Sequence, residues 1–224
     1  MVKLKLNFRY CVALYCITML YASLHELVHH FVARMVCGAW GYKTFNSFET
    51  ACADGDHTSL IATAAGPIFS FLMMYVGWYF LQQGQTSFKK HLGFALIFAQ
   101  LPAQRMSGPL MGFNDEYYIV RLLDEASLTN QWLTALAISA ICIPPLVAAF
   151  KAIKNRYRWA WFALFFLLLP YLLFGPFFVL LEYLMVGQGI LDEAILGIGT
   201  LFLINEILTI LLYYRTKKYI DPEA

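Results

Sequence analysis

His25-Glu26-Leu27-Val28-His29 places two imidazoles four positions apart, with a carboxylate directly after the first. On an α-helix a four-residue step lies about 40° from alignment, so the two rings sit one turn apart on nearly one face. Two imidazoles so placed can share one Zn²⁺, and a glutamate between them reaches a water held on that ion. The stretch lies inside a long apolar run. Two histidines and a glutamate are costly in hydrocarbon unless they are used. His30 follows at once, but it is turned about 100° from the His25–His29 stripe, which predicts a packing or supporting role rather than ligation.

Two histidines leave such a site incomplete, because a catalytic zinc takes three protein ligands and keeps one position open. Asn114-Asp115-Glu116 follows the outer end of a later apolar segment, at the depth expected for His25 and His29. Asp115 is the expected third ligand and Glu116 its rival. Asp54, Asp56 and His57 are weaker choices. Asn114, Gln104 and Arg105 are candidate donors to a developing oxyanion. Arg105 has a second reading, as a structural counter-charge to Glu26, Asp115 or Glu116.

The elements that must position these groups are membrane helices. Of the 224 residues, 60% are hydrophobic, 17% aromatic and only 13% charged, against about 25% charged in a soluble domain. This composition predicts an all-α, polytopic integral membrane protein. The apolar segments run at about 10–37, 59–81, 91–113, 132–150, 159–185 and 190–214, so six spans are expected. The third is the poorest, with Pro102, Gln104, Arg105, Ser107, Gly108 and Pro109 inside it. A broken helix at membrane depth must be buried in protein or line a wet cavity. Residues 38–57 are polar, and the alternation in Lys43-Thr44-Phe45-Asn46-Ser47-Phe48 predicts a short hairpin or re-entrant strand.

Charge placement sets an expected orientation. Twelve of the sixteen Lys and Arg residues fall at 3–9, 89–90, 151–158 and 215–218, which predicts cytosolic N- and C-termini. The net charge of +2 argues for no nucleic acid or other acidic partner, leaving the lipid bilayer and a membrane protein or peptide as expected partners. None of this predicts an oligomeric state. The five cysteines show no C-x-x-C spacing, but Cys37 and Cys52 bracket the first outer loop and would form a disulfide on an oxidising side.

The pattern resembles the site-2 protease group of intramembrane zinc metalloproteases. His25-Glu26-Leu27-Val28-His29 matches the first motif of that family, Ala65-Gly66-Pro67 its Gly-Pro element, and Asn114-Asp115 falls where its third-ligand motif stands, although Glu116 follows where the family has Gly. The resemblance implies a three-span zinc metalloprotease-like core within residues 1–120, with residues 121–224 as additional helices and a basic cytosolic tail. It implies Zn²⁺ on His25, His29 and Asp115, with Glu26 as general base for hydrolysis of a peptide bond in or near a membrane segment. Two rival functions remain. One is a non-catalytic scaffold or chaperone that keeps a relic metal site. The other is a proton or ion transporter using Glu206, Glu182 and Arg105, since ionisable groups within spans are functional candidates by default.

Overall fold

A computed structural model describes residues 1–52, 58–123 and 127–221. The chain is a mostly helical membrane protein, in which four helices are long and apolar enough to cross a bilayer: Phe8–Cys37, Ser59–Phe80, Leu128–Ala152 and Arg158–Gly187. Helix α1 (Phe8–Cys37) starts where the Asn7 side chain accepts from the Tyr10 amide at 2.9 Å. It stops at Gly38, whose φ of 77° only glycine adopts without cost, closing a bond from its N–H to Arg34 O. Helix α2 (Thr58–Phe80) packs along α1 and carries Pro67 inside it.

The third apolar segment is not one helix. Helix α3 (Ser87–Ala99) ends, and α4 (Pro102–Ser107) begins at a proline. Pro102 has no N–H to continue the ladder and disfavours helical backbone at the residue before it. Leu101 accordingly takes a left-handed conformation, φ 51°. The break is tolerated because it is enclosed: Phe94 through Gln100 are all buried. A short 3₁₀ turn (Gly108–Met111) leads to α5 (Asp115–Leu123) at the rim.

Helix α6 (Leu128–Ala152) is followed by one continuous span assembled from α7 (Arg158–Ala163), a π-helical stretch (Leu164–Leu168), α8 (Leu169–Glu182) and a second π-helical stretch (Tyr183–Gly187). Only 22% of its apolar window is buried within the bundle. The sixth expected span is shorter than its apolar run. Residues 190–199 are turn and hairpin, and α9 covers only Thr200–Thr216. The cause is local. Gly189, Leu191, Leu196 and Gly197 all hold positive φ, and β1 (Ala194–Ile195) folds back on β2 (Ile198–Gly199) through the two-residue Leu196-Gly197 turn. β2 in turn bridges Lys43, which itself bridges Phe48. In the polar insertion, expected as a short hairpin or re-entrant strand, the described residues pair only at these isolated bridges.

Two apolar cores hold the bundle. One joins α1, α3 and the α7–α8 span, where Phe165 meets Tyr10, Phe94 and Phe98 at centroid distances of 6.2, 5.0 and 5.7 Å. The other gathers Met19, Phe45, Phe174, Met185 and Phe202 under the insertion. Lipid supplies no hydrophobic drive between helices, so close backbone approach matters. Where α2 crosses α3, a Cβ on Gly77 would lie 2.7 Å from Gly93 O, and one on Gly93 would lie 2.7 Å from Phe80 Cβ. Gly93→Val is expected to overpack this crossing by about 1–3 kcal/mol. A lowered thermal midpoint of the detergent-purified protein checks this, and an unchanged midpoint contradicts it.

Candidate metal centre

His25 and His29 both lie on the buried face of α1. Their Nε2 atoms are 3.1 Å apart. Asp115, the first residue of α5, brings Oδ2 to 3.0 Å from His25 Nε2 and 3.4 Å from His29 Nε2. Zinc bonds of about 2.0–2.1 Å at tetrahedral angles set ligand atoms about 3.3 Å apart. The three separations fit one small divalent ion, and the donor set, two imidazoles and a carboxylate, fits zinc.

Each ligand is oriented from behind. His29 Nδ1–H donates to Ala62 O at 2.8 Å, which leaves Nε2 with its lone pair toward the centre. Phe48 stacks on the same ring at 4.3 Å and 10°. His25 Nδ1 lies 3.0 Å from Ser70 Oγ, and Arg105 Nη2 donates to that oxygen at 2.9 Å. Arg105 Nη2 also lies 3.1 Å from His25 Nδ1, so Ser70 and Arg105 together position that ring from behind. Asp115 is placed by Asn114, which sits at φ 88°, accepts from the Tyr117 amide at 3.1 Å and donates to Arg105 O at 3.2 Å. The Gly-Pro element has a steric role. Gly66 faces both imidazoles, and a Cβ there would collide with His29 Nε2 and come within 2.7 Å of His25 Cε1.

The remaining expected residues separate. Glu116 is not at the centre; it pairs with Arg105 Nη1 at 3.0 Å, which removes it as a rival ligand. Arg105 is therefore the counter-charge, and its Nε donates to Gln100 O at 3.1 Å. Asn114 caps the start of α5 and also lines the cavity beside the centre. Gln104 lines the cavity beside the centre. His30 is buried away from the centre, donating to Leu196 O at 2.9 Å and stacking on Trp40. Asp54, Asp56 and His57 lie outside the described residues. Cys37 and Cys52 are disulfide-bonded, which ties the insertion to the end of α1.

Glu26, His25 and Asp115 share the wall of a cavity of about 330 Å³, lined also by residues of the α3–α4 break and by Phe174 and Phe178 of α8. One residue carried no signal in the sequence. Lys43 is fully buried, donates to Thr44 O at 2.7 Å and lies 3.5 Å over the Phe202 ring. Burial pulls its pKa down to about 8, while Glu26, Glu206 and Glu182 act in the opposite direction. A lysine in a polar loop reads as solvated. Only the arrival of α8 and α9 buries this one among acids.

No family model, curated protein or solved structure matches the chain. The resemblance to intramembrane metalloproteases therefore rests on the motif residues themselves.

The orienting contacts set an order of effects on metal. Asp115→Ala is expected to lose the ion from the purified protein and Glu116→Gln to keep it. Ser70→Ala is expected to weaken affinity about 10–100-fold. Elemental analysis and competition with a zinc chelator measure these outcomes. A Glu116→Gln protein stripped of metal beside a loaded Asp115→Ala would reverse the ligand assignment.

Proposed function

We propose that the chain is a zinc-dependent intramembrane endopeptidase, with His25, His29 and Asp115 as ligands and Glu26 as general base. The observation that carries this is the convergence of three ligand atoms, all within 4.8 Å of one another, on a cavity wall that also presents Glu26. Bound there, zinc would supply Lewis acidity and lower the pKa of a water toward about 7. Glu26 takes a proton from the attacking water on its carboxylate and returns it to the leaving amine. Gln104 offers the side-chain amide on the cavity wall to the carbonyl oxygen as charge develops. The aromatic wall of Phe174 and Phe178 limits water around the scissile bond.

A helical substrate must unwind to expose a peptide bond. Strand addition along 43–48 is one route to that, but the amides of residues 43–47 already have partners: Gly197 O, Ser47 O, Glu182 Oε2 and, twice, Thr44 Oγ1. The unwound segment is better received at the α3–α4 break, where Gln100, Leu101 and Gln104 face the cavity.

In the same reading the membrane domain has six crossings, with the broken α3–α4 segment and α9 as the two irregular ones. Both termini are cytosolic, and the metal centre lies toward the opposite face. The Cys37–Cys52 disulfide supports that orientation, because disulfides persist where the environment oxidises.

The acids around Lys43 favour a second reading, proton or ion movement. Their side chains argue against a relay. Glu206 accepts from Ser23 at 2.6 Å and from Asn205 at 3.1 Å, while Glu182 accepts from the Phe45 amide at 2.9 Å. Each is held by local partners, and among the described residues no hydrogen-bonded chain links them. A scaffold with a relic site would have no use for Glu26 on the cavity wall.

Glu26→Gln separates these functions. The zinc-loaded protein in micelles, given a library of synthetic transmembrane peptides, is expected to release fragments. Glu26→Gln is expected to retain its metal and lose about 10²–10⁴-fold in rate. Equal cleavage by the variant, or none by the metal-loaded wild type, would remove the hydrolase assignment.

A further inference from the structure

Twelve of the sixteen Lys and Arg residues gather at the end of the bundle away from the metal centre, and the fold ties their segments together. Val2 N–H donates to Ala152 O at 2.7 Å, and Lys154 N–H donates to Val2 O at 2.8 Å. Asn155 exchanges two 2.8 Å bonds with the Leu4 backbone. His91 meets Lys3 O at 3.3 Å and Asp221 at 3.4 Å, and Arg9 lies over the Tyr219 ring. The N-terminal segment, the start of α3, the end of α6 and the C-terminal turn therefore share one surface. They contribute Lys3, Lys5, Arg9, Lys89, Lys90, Lys151, Lys154, Arg156, Arg158, Arg215, Lys217 and Lys218. The one described acid within these segments is Asp221, already placed against His91.

A cleft of about 230 Å³ opens at this end between α2, the start of α3 and the end of α6. Its lining is mixed: Lys90, Lys151, Gln82 and Gln83 share it with Met1, Trp78, Leu81, Ala148 and Ala152. Among the described residues neither lysine has a carboxylate within salt-bridge distance. The apolar spans α2 and α6 end at Phe80 and Ala152, so the cleft sits where hydrocarbon gives way to headgroups. Trp78 is of the type that settles at that boundary.

We propose that this cleft binds the headgroup of an anionic phospholipid. The phosphate is held by the two ammonium groups and the glutamine amides, and the acyl chains run along Trp78, Leu81 and Ala148 toward the hydrocarbon. A zwitterionic lipid offers the same phosphate but brings its own cation against Lys90 and Lys151, so it binds less well. Basic pockets between spans recognise anionic lipids on this principle. The site does not depend on the catalytic reading.

The test uses the full chain in detergent, with phosphatidylglycerol and phosphatidylcholine as probes and native mass spectrometry as the readout. Phosphatidylglycerol is expected to remain bound and phosphatidylcholine to be lost. Lys90→Gln with Lys151→Gln is expected to weaken phosphatidylglycerol binding about tenfold to thirtyfold, at about 1 kcal/mol per lysine near an anionic surface. Lys217→Gln with Lys218→Gln removes the same charge from the same end outside the cleft, and is expected to leave binding within about twofold. Lys151→Arg retains the charge and is expected to retain the lipid. Equal losses in the two double variants would reduce the site to a diffuse basic surface and overturn the proposal. So would equal retention of the two lipids, or displacement of phosphatidylglycerol by millimolar inorganic phosphate.

Discussion

The structure depends on bringing a carboxylate oxygen to two imidazole nitrogens inside an apolar bundle. Charged and polar groups in such surroundings are tolerated only with partners, and each of the three candidate ligands has one behind it. Ala62 O holds His29, Ser70 holds His25, and the capped start of α5 holds Asp115. The supports come from α2, from the α3–α4 break through Arg105, and from the turn before α5. Those elements must therefore pack at fixed heights against α1, and the glycine contacts set how closely they do so. Gly66 leaves room for the rings, and Gly77 with Gly93 lets α3 lie near enough for Arg105 to reach Ser70.

The broken helix follows from the same constraint. A continuous α3 would carry Gln100 to Ser107 on a single spiral, and Arg105 could not turn back to Gln100 O while also reaching Glu116 and Ser70. The left-handed Leu101 and the proline after it redirect the chain. The backbone groups at the break find partners within the protein: Gln100 O accepts from Arg105 Nε, the Leu101 N–H donates to Phe98 O and the Gln104 N–H donates to the Tyr171 hydroxyl.

A second charged group, Lys43, sits beside this centre among Glu26, Glu182 and Glu206. Its cost is offset by the Thr44 carbonyl, the Phe202 face and the surrounding acids. Through it the insertion, α1, α8 and α9 become one unit. The helices beyond residue 121 thus pack into the surroundings of Glu26 as well as extending the bundle. The disulfide at Cys37–Cys52 and the β2 bridge to Lys43 hold that unit from outside.

Much was legible in the residues. The four-residue spacing puts His25 and His29 on one face because helical periodicity is local. Gly38, Pro102 and the bracketing cysteines mark a stop, a break and a loop closure, each by its own covalent chemistry. The 190–199 run misled because its apolar residues resemble a span, whereas positive φ at Gly189 and Gly197 turns the backbone into a hairpin. Local sequence thus determined most of the helical segments, several of their ends and which pair of imidazoles aligns. Tertiary packing alone decided that Asp115 rather than Glu116 faces those imidazoles, that Ser70 and Ala62 orient them, and that Lys43 is buried. Each of these rests on contacts between residues far apart in the chain, and no periodicity within one element encodes the height at which another element passes it.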